Sequence, residues 1–241
     1  MVIELAGRKI GIETIHRYTI NLCRDYASEG DVDFGFAITQ ADIEFERERS
    51  AAEDRYEGVP VHNWPDAYLE SLAVYRKISE KMPDYDTVLF HGSCVAVDGY
   101  GYLFTAKSVT GKSTHPRLWR EMLGDRAVMI NDDKPLIRIE EDRVLVFGTP
   151  WNGKHRLGTN TSVPLKALSI LERSADNHIR PITKAEAYPM LLQQVYRPLD
   201  PLGTAKTLKL MDKLAATVSL YRLGCNMEPE VASVSYNAMK G

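Results

Sequence analysis

The 241-residue sequence predicts an α/β or α+β protein, a mixed, twisted sheet around a phosphate-loop helix, with a β-rich N-terminal lobe and a helical C-terminal part. Three observations predict it. Apolar, β-rich runs alternate with helical patterns from Thr87 onward. A Gly111-Lys112-Ser113 turn stands between one such run and a helical pattern. A short apolar run, Ala127–Ile130, follows that helix as a strand buried on both faces would, and it ends in Asn131-Asp132-Asp133. The lobe is placed at residues 1–86 and the phosphate-loop core at 87–241.

The lobe opens with a hairpin, in which Val2, Ile3 and Leu5 precede an Ala-Gly-Arg-Lys turn and Ile10 and Ile12 follow it. Residues 15–28 stay ambiguous. Phe34–Ile38 reads as a strand, and Ile43–Tyr56, crowded with Glu and Arg, as a solvated face. Trp64–Met82 has helical spacing in Tyr68, Leu69, Leu72, Ala73, Tyr75 and Ile78.

In the core, Val88–Gly92 and Ser93–Val97 are β-rich, and Asp98-Gly99-Tyr100-Gly101 is a turn signal before Tyr102-Leu103-Phe104. The helix after Ser113 presents Leu118, Trp119, Met122 and Leu123 on one face and is closed by Gly124. Pro116, placed in its second turn, removes a backbone donor there and predicts an irregularity. Leu136–Ile139 and Val144–Phe147 form a hairpin, and Gly148–Lys154 is a loop. Leu165–Leu171 and His178–Ile182 are read as paired strands. Thr183 and Glu186 make a capping box for a helix to about Tyr196, with Pro189 as a kink. Thr204–Leu223 is read as the longest helix, its face lined by Leu208, Met211, Leu214, Ala215, Val218 and Tyr221 and its end set by Gly224.

The composition excludes little and favours little. A net charge of −3, with Lys and Arg scattered, gives no reason to expect nucleic-acid or membrane binding. Three widely spaced cysteines, Cys23, Cys94 and Cys225, fit reduced buried thiols rather than a disulfide framework. With no N-terminal signal and no apolar run of membrane-spanning length, the expected location is cytoplasmic.

The chemistry sits around Phe104-Thr-Ala-Lys-Ser-Val-Thr-Gly-Lys-Ser-Thr114. In a phosphate loop, backbone N–H groups and a helix N-terminus converge on phosphate oxygens. The candidate nucleotide-binding residues are Ser108, Val109, Thr110, Gly111, Lys112, Ser113 and Thr114, with Lys112 on the β/γ-phosphates and the Ser113 hydroxyl on Mg²⁺. Asp132 and Asp133 end the next buried strand, where a metal-binding carboxylate belongs; one would join Ser113 on Mg²⁺ and the other accept the proton of an acceptor hydroxyl. The blander alternative for the pair is a turn assisted by Asn131 and Pro135. His91, at the end of the strand before the loop, is a further catalytic candidate, though a lone histidine is more often structural. Lys154 and Arg156 are candidates for the developing charge on the γ-phosphate. Trp151 reads equally as a buried tryptophan or a stacking surface, and Arg197 is assigned no role.

Four segments, His91-Gly-Ser-Cys-Val-Ala-Val97, Thr105–Thr114, Asn131-Asp132-Asp133 and Gly148-Thr-Pro-Trp-Asn-Gly-Lys154, resemble the catalytic core of HPr serine kinase/phosphorylase. They also resemble the nucleotide core of ATP-dependent phosphoenolpyruvate carboxykinase. The resemblance spans roughly 87–200 and implies the phosphate-loop fold those families share, with a histidine before the loop strand and an Asp pair after the helix. The family loop reads G-x-S-G-x-G-K-[ST]; here its first Gly is Ala106 and its second is Val109, a β-branched residue that tolerates positive φ poorly.

The expected activity is an ATP- and Mg²⁺-dependent transfer of a phosphoryl group to a hydroxyl, on a small molecule or on a Ser of a peptide or protein. The alternatives are a carboxykinase-like reaction, against which the chain length argues, and a catalytically weak nucleotide binder, favoured by Ala106 and Val109. The expected partners are a nucleotide and a hydroxyl acceptor, with no nucleic acid or membrane; the resemblance also implies a homo-oligomer.

Overall fold

The computed structural model describes residues 1–107, 111–153 and 156–241. The chain divides into two compact units, Met1–Glu80 and Lys81–Gly241.

In the first unit, β1 (Val2–Leu5) and β2 (Arg8–Glu13) form the expected hairpin, and β3 (Phe34–Ala37) adds parallel to β2. The segment left ambiguous contains a short helix, α1 (Arg17–Leu22). The charged stretch is a long helix, α2 (Gln40–Glu57), started by a Thr39–Asp42 capping box and stopped by Gly58 at φ 72°. Its charges are not all solvated. Glu46 is buried and accepts from Arg76 of α3 (Asp66–Lys81) at 2.6 Å, and Asp42 accepts from the same guanidinium at 3.2 Å. Glu70 of α3, fully buried, accepts from the Ile15 and His16 N–H groups and from the Thr19 hydroxyl, which fixes the start of α1. Cys23 in this unit, and Cys94 and Cys225 in the second, are free and buried, as expected.

The second unit is the mixed α/β sheet the sequence predicts. Its strands are β4 (Thr87–Leu89), β5 (Ser93–Val97), β6 (Tyr100–Thr105), β7 (Ala127–Asn131), β8 (Leu136–Ile139), β9 (Val144–Phe147), β10 (Ser162–Arg173), β11 (His178–Pro181) and β12 (Ser219–Cys225). They join in the order β4-β8-β9-β10-β6-β5-β7, with β12 paired to both β10 and β11. β5 and β6 are antiparallel, joined through Asp98 (φ 51°) and Gly99 (φ 84°), the two left-handed residues of a tight hairpin turn. β10 does double duty. Its first residues pair antiparallel with β9; from Leu165 it runs parallel to β6, with a bulge at Leu165/Ala167, and from Ala167 it also runs parallel to β12 on the other side.

Strand alternation sends side chains to two cores. Cys94, Ala96, Leu103, Leu168 and Ile170 face one that is covered by α5 (Lys184–Gln194) and α6 (Pro201–Thr217). Val95, Val97, Tyr102, Phe104, Ala167 and Leu171 face another, covered by α4 (Thr114–Leu123) and α7 (Glu230–Met239).

Several expectations are corrected. The predicted helix to Leu223 stops at Thr217, and residues 219–225 are β12. Leu220, Tyr221 and Leu223 fit either element by residue type, and the parallel pairing of residues 219–225 with β10 makes them a strand. Gly224 is therefore no helix cap; it pairs with His178, whose ring lies where a Cβ would be. β11 pairs with β12, not with β10. Pro116 causes no irregularity: α4 starts at Thr114, so Pro116 falls in the first turn, where its missing N–H has no helical acceptor to lose. Met122 and Leu208, placed on packed faces by periodicity, are exposed. Among the described residues, no helix is long and apolar enough to cross a membrane.

Candidate functional site

The register explains why the singled-out residues meet. Ser93 at the start of β5 opposes Phe104 near the end of β6, and Cys94 opposes Asn131 at the end of β7. The chain just before β5, the turn just after β6 and the turn just after β7 therefore share one edge of the sheet. They carry His91, Gly111–Thr114 and Asp132-Asp133, respectively.

His91 Nε2 lies 3.1 Å from Asp133 Oδ1, and Asp133 is also paired with the ammonium of Lys134. The His91 backbone is fixed from two sides: its N–H donates to Gln194 O at 2.8 Å, and its carbonyl accepts from the Thr105 hydroxyl at 2.9 Å. Burial pushes the Asp133 carboxyl up, but the His91 hydrogen bond and the Lys134 charge outweigh it and hold it at about 2. The sign follows from linkage. Asp133 stabilises the fold fully above its ordinary value of 3.8, and that contribution, about 2 kcal/mol, is lost as the pH falls through its folded value. Urea titrations between about pH 4 and pH 2 should show a flatter decline for Asp133→Asn than for the parent. Equal declines would mean the pair contributes nothing.

Asp132 is 8% exposed, and its Oδ1 accepts from Gly153 N–H at 2.6 Å. Burial raises its carboxyl, the Gly153 and Leu157 amides oppose this, and the Asp133 charge adds to the rise. Such a carboxylate is poorly compensated and gains from a nearby cation.

Lys112 Nζ donates to Ala106 O at 3.1 Å, so the lysine folds back over the end of β6. Burial lowers its ammonium, and the attraction of Asp133 partly restores it. Gly111 has φ 102°, which only glycine adopts without strain, and its carbonyl accepts from Thr114 N–H at 3.0 Å as α4 begins. Ser113 is exposed, and its side chain does not cap the helix. Ala106 is fully buried among Phe104, Leu118 and Trp119, where its methyl fills core space. Ser108, Val109, Thr110 and Lys154 lie outside the described residues.

Among the described residues, Arg156 makes no ion pair with Asp132 or Asp133; it lines a groove with Arg120, Gly124 and Val128 beside β7, and its neighbour Leu157 turns an amide toward the Asp132 carboxyl. Trp151 is buried, as one of its two readings had it.

Sequence reasoning missed a positioning role for Asn131. Fully buried, it accepts at Oδ1 from the N–H groups of Asp133 (2.9 Å) and Lys134 (2.6 Å). Its amide donates to Thr149 Oγ1 at 3.0 Å, and the Thr149 hydroxyl donates to Lys134 O at 2.8 Å. One side chain thus latches the Asp turn to the loop after β9. The Asn-Asp-Asp turn signal was visible; its partner in the loop was not. Among the described residues, no group of three or more His, Cys, Asp or Glu is arranged to hold a metal. Mg²⁺ is usually held by one or two carboxylates plus substrate phosphates, a demand Asp132 and Ser113 fit in kind.

The fold and this edge define a mixed α/β chain in which β6, the glycine turn at Gly111 and α4 follow one another. Its fold is similar to the Hpr(Ser) kinase/phosphatase from Coxiella burnetii, with a TM-score of 0.37 and 10% identity over 64% of this chain and 99% of that one. No protein-family model matches the chain, and no curated protein matches it in sequence.

Proposed function

We propose that the protein is a nucleotide-dependent phosphotransferase acting on a hydroxyl, with ATP as donor and Mg²⁺ as cofactor. The observation that carries this reading is the convergence of Lys112, His91 and Asp133 on one sheet edge at the start of α4. Phosphoryl transfer asks mainly for positioning and charge. Lys112 and the amides at the start of α4 would hold the phosphates. Asp132 and Ser113 would hold Mg²⁺, which when bound neutralises phosphate charge. Asp133, its free-state carboxyl at about 2, is a weak base and a good hydrogen-bond acceptor. Its role is to orient the acceptor hydroxyl, with His91 holding it in place.

Calorimetry with Mg²⁺-ATP tests the reading. The parent should bind, and Lys112→Ala should bind roughly tenfold to a hundredfold more weakly, the worth of a charge-assisted phosphate contact. Equal affinity in the two proteins would remove the phosphate loop from the argument. A second reading, a nucleotide binder without turnover, is favoured by Val109. If Val109→Gly raises ATP turnover strongly, the loop is a weakened catalyst; if turnover stays absent while binding persists, the binder reading stands.

A further inference from the structure

A second feature adjoins the turn, on the side of β6 away from His91. The strand order places β5 and β7 on one side of β6, and β10 and β12 on the other. At the carboxyl ends of β10 and β12 lies a hollow lined in part by Gly111, Thr114, His115, Arg173, Cys225 and Met227. None of its lining residues is His91, Asp132 or Asp133. It lies at the carboxyl ends of parallel strands, where open α/β sheets bind ligands.

The second observation is His115. This residue of the first turn of α4 is 2% exposed, and its Nε2 is buried without a hydrogen-bond partner among the described residues. An imidazole with one bound proton offers one donor and one acceptor. Buried polar groups are rarely left unpaired, and one that lines a hollow points to a ligand. Asn226, also at the rim, has no such vacancy: its amide donates to Ala175 O, and its oxygen accepts from Asn177 and Glu228.

We propose that this hollow takes the base and ribose of the nucleotide whose phosphates lie on the Gly111–Thr114 turn, with His115 Nε2 hydrogen-bonded to the base edge. The inference rests on the phosphotransferase reading above. Three features support it. Gly111 and Thr114 belong to both the turn and the hollow, so a ligand on the turn reaches the hollow without a gap. Arg173 brings a planar guanidinium and Met227, 73% exposed, a polarisable thioether, both suited to the face of an aromatic ring. The acceptor is directed elsewhere, since the residues that would orient it lie across β6.

The experiment compares Mg²⁺-ATP with Mg²⁺-tripolyphosphate, which has the phosphates and no nucleoside, by calorimetry on the parent, Lys112→Ala, His115→Leu and Arg173→Ala. In His115→Leu, ATP should bind about tenfold more weakly, the worth of one buried hydrogen bond, with tripolyphosphate unchanged. Arg173→Ala, altered at an exposed side chain, should weaken ATP alone by about threefold to tenfold. Parent-like ATP affinity in His115→Leu, with both ligands lost in Lys112→Ala, overturns the nucleoside hollow and leaves the phosphate loop standing. Equal weakening of both ligands in His115→Leu means a disturbed helix start and also overturns it. If His115→Leu does not fold, Arg173→Ala decides, and parent-like ATP affinity there rejects the inference. Failure of both ligands to bind the parent removes the phosphate loop and the hollow together.

Discussion

An Asp133→Asn protein should bind Mg²⁺-ATP within about threefold of the parent and lose phosphoryl transfer by at least about 10²-fold. The substitution keeps the size of the side chain and removes its charge. In the parent, Asp133 holds His91 Nε2 at 3.1 Å and pairs with Lys134, and both contacts depend on an anion. An amide would turn an NH₂ group toward one of these donors, and the hydroxyl would lose its acceptor. Binding is spared because the phosphates are assigned to Lys112 and the start of α4, not to Asp133. The readout is ATP consumption with water or an added hydroxyl compound as acceptor, beside calorimetry for binding. Transfer within about tenfold of the parent would move the orienting role off Asp133.

The largest effect on stability is expected from Trp119→Ala, a loss of about 4 kcal/mol. Trp119 is fully buried on α4 and donates from Nε1 to Ser235 Oγ of α7 at 2.8 Å. Tyr102, Phe104 and Tyr236 surround it with ring centroids 5.0, 5.2 and 5.3 Å away. It therefore joins two helices to the sheet face lined by Val95, Tyr102 and Phe104. Truncation leaves a cavity too large for α4 to close. Trp119→Phe should cost less than half as much, since it keeps most of the apolar contact and drops one hydrogen bond. Denaturant unfolding of the second unit provides the check. A loss under about 1 kcal/mol in the alanine variant would show that α4 repacks freely.

What was legible in the sequence is what is local. The Asp98-Gly99 turn announces its own hairpin, and the Thr183–Glu186 box announces its own helix. The strand before Gly111 and the helix after it were readable, and the φ of 102° at Gly111 is one that favours glycine. What failed depended on distant partners. β12 looks helical until β10 is placed beside it, and β11 looks like the partner of β10 until β12 fills the gap. Asn131 shows a turn and hides a latch, because Thr149 meets it only after the β8–β9 hairpin folds back. Arg156 lines a groove beside β7, a placement its loop and its charge do not announce.

The parallel pairing of β10 with β12 has a bearing on how the chain matures. Ala167 finds Ser219, and Arg173 finds Cys225, only after two helices and a strand have been laid down between them. Such remote pairings form slowly. During synthesis, β10 emerges with one edge unsatisfied, an open template for a wrong strand. The hollow beside Gly111 and Thr114, whose wall includes Cys225 and Met227, is completed only by that late arrival. A ribosome-bound chain halted before Ser219 is thus the state most exposed to misassembly, and ligand binding at the hollow should first become measurable once β12 has docked.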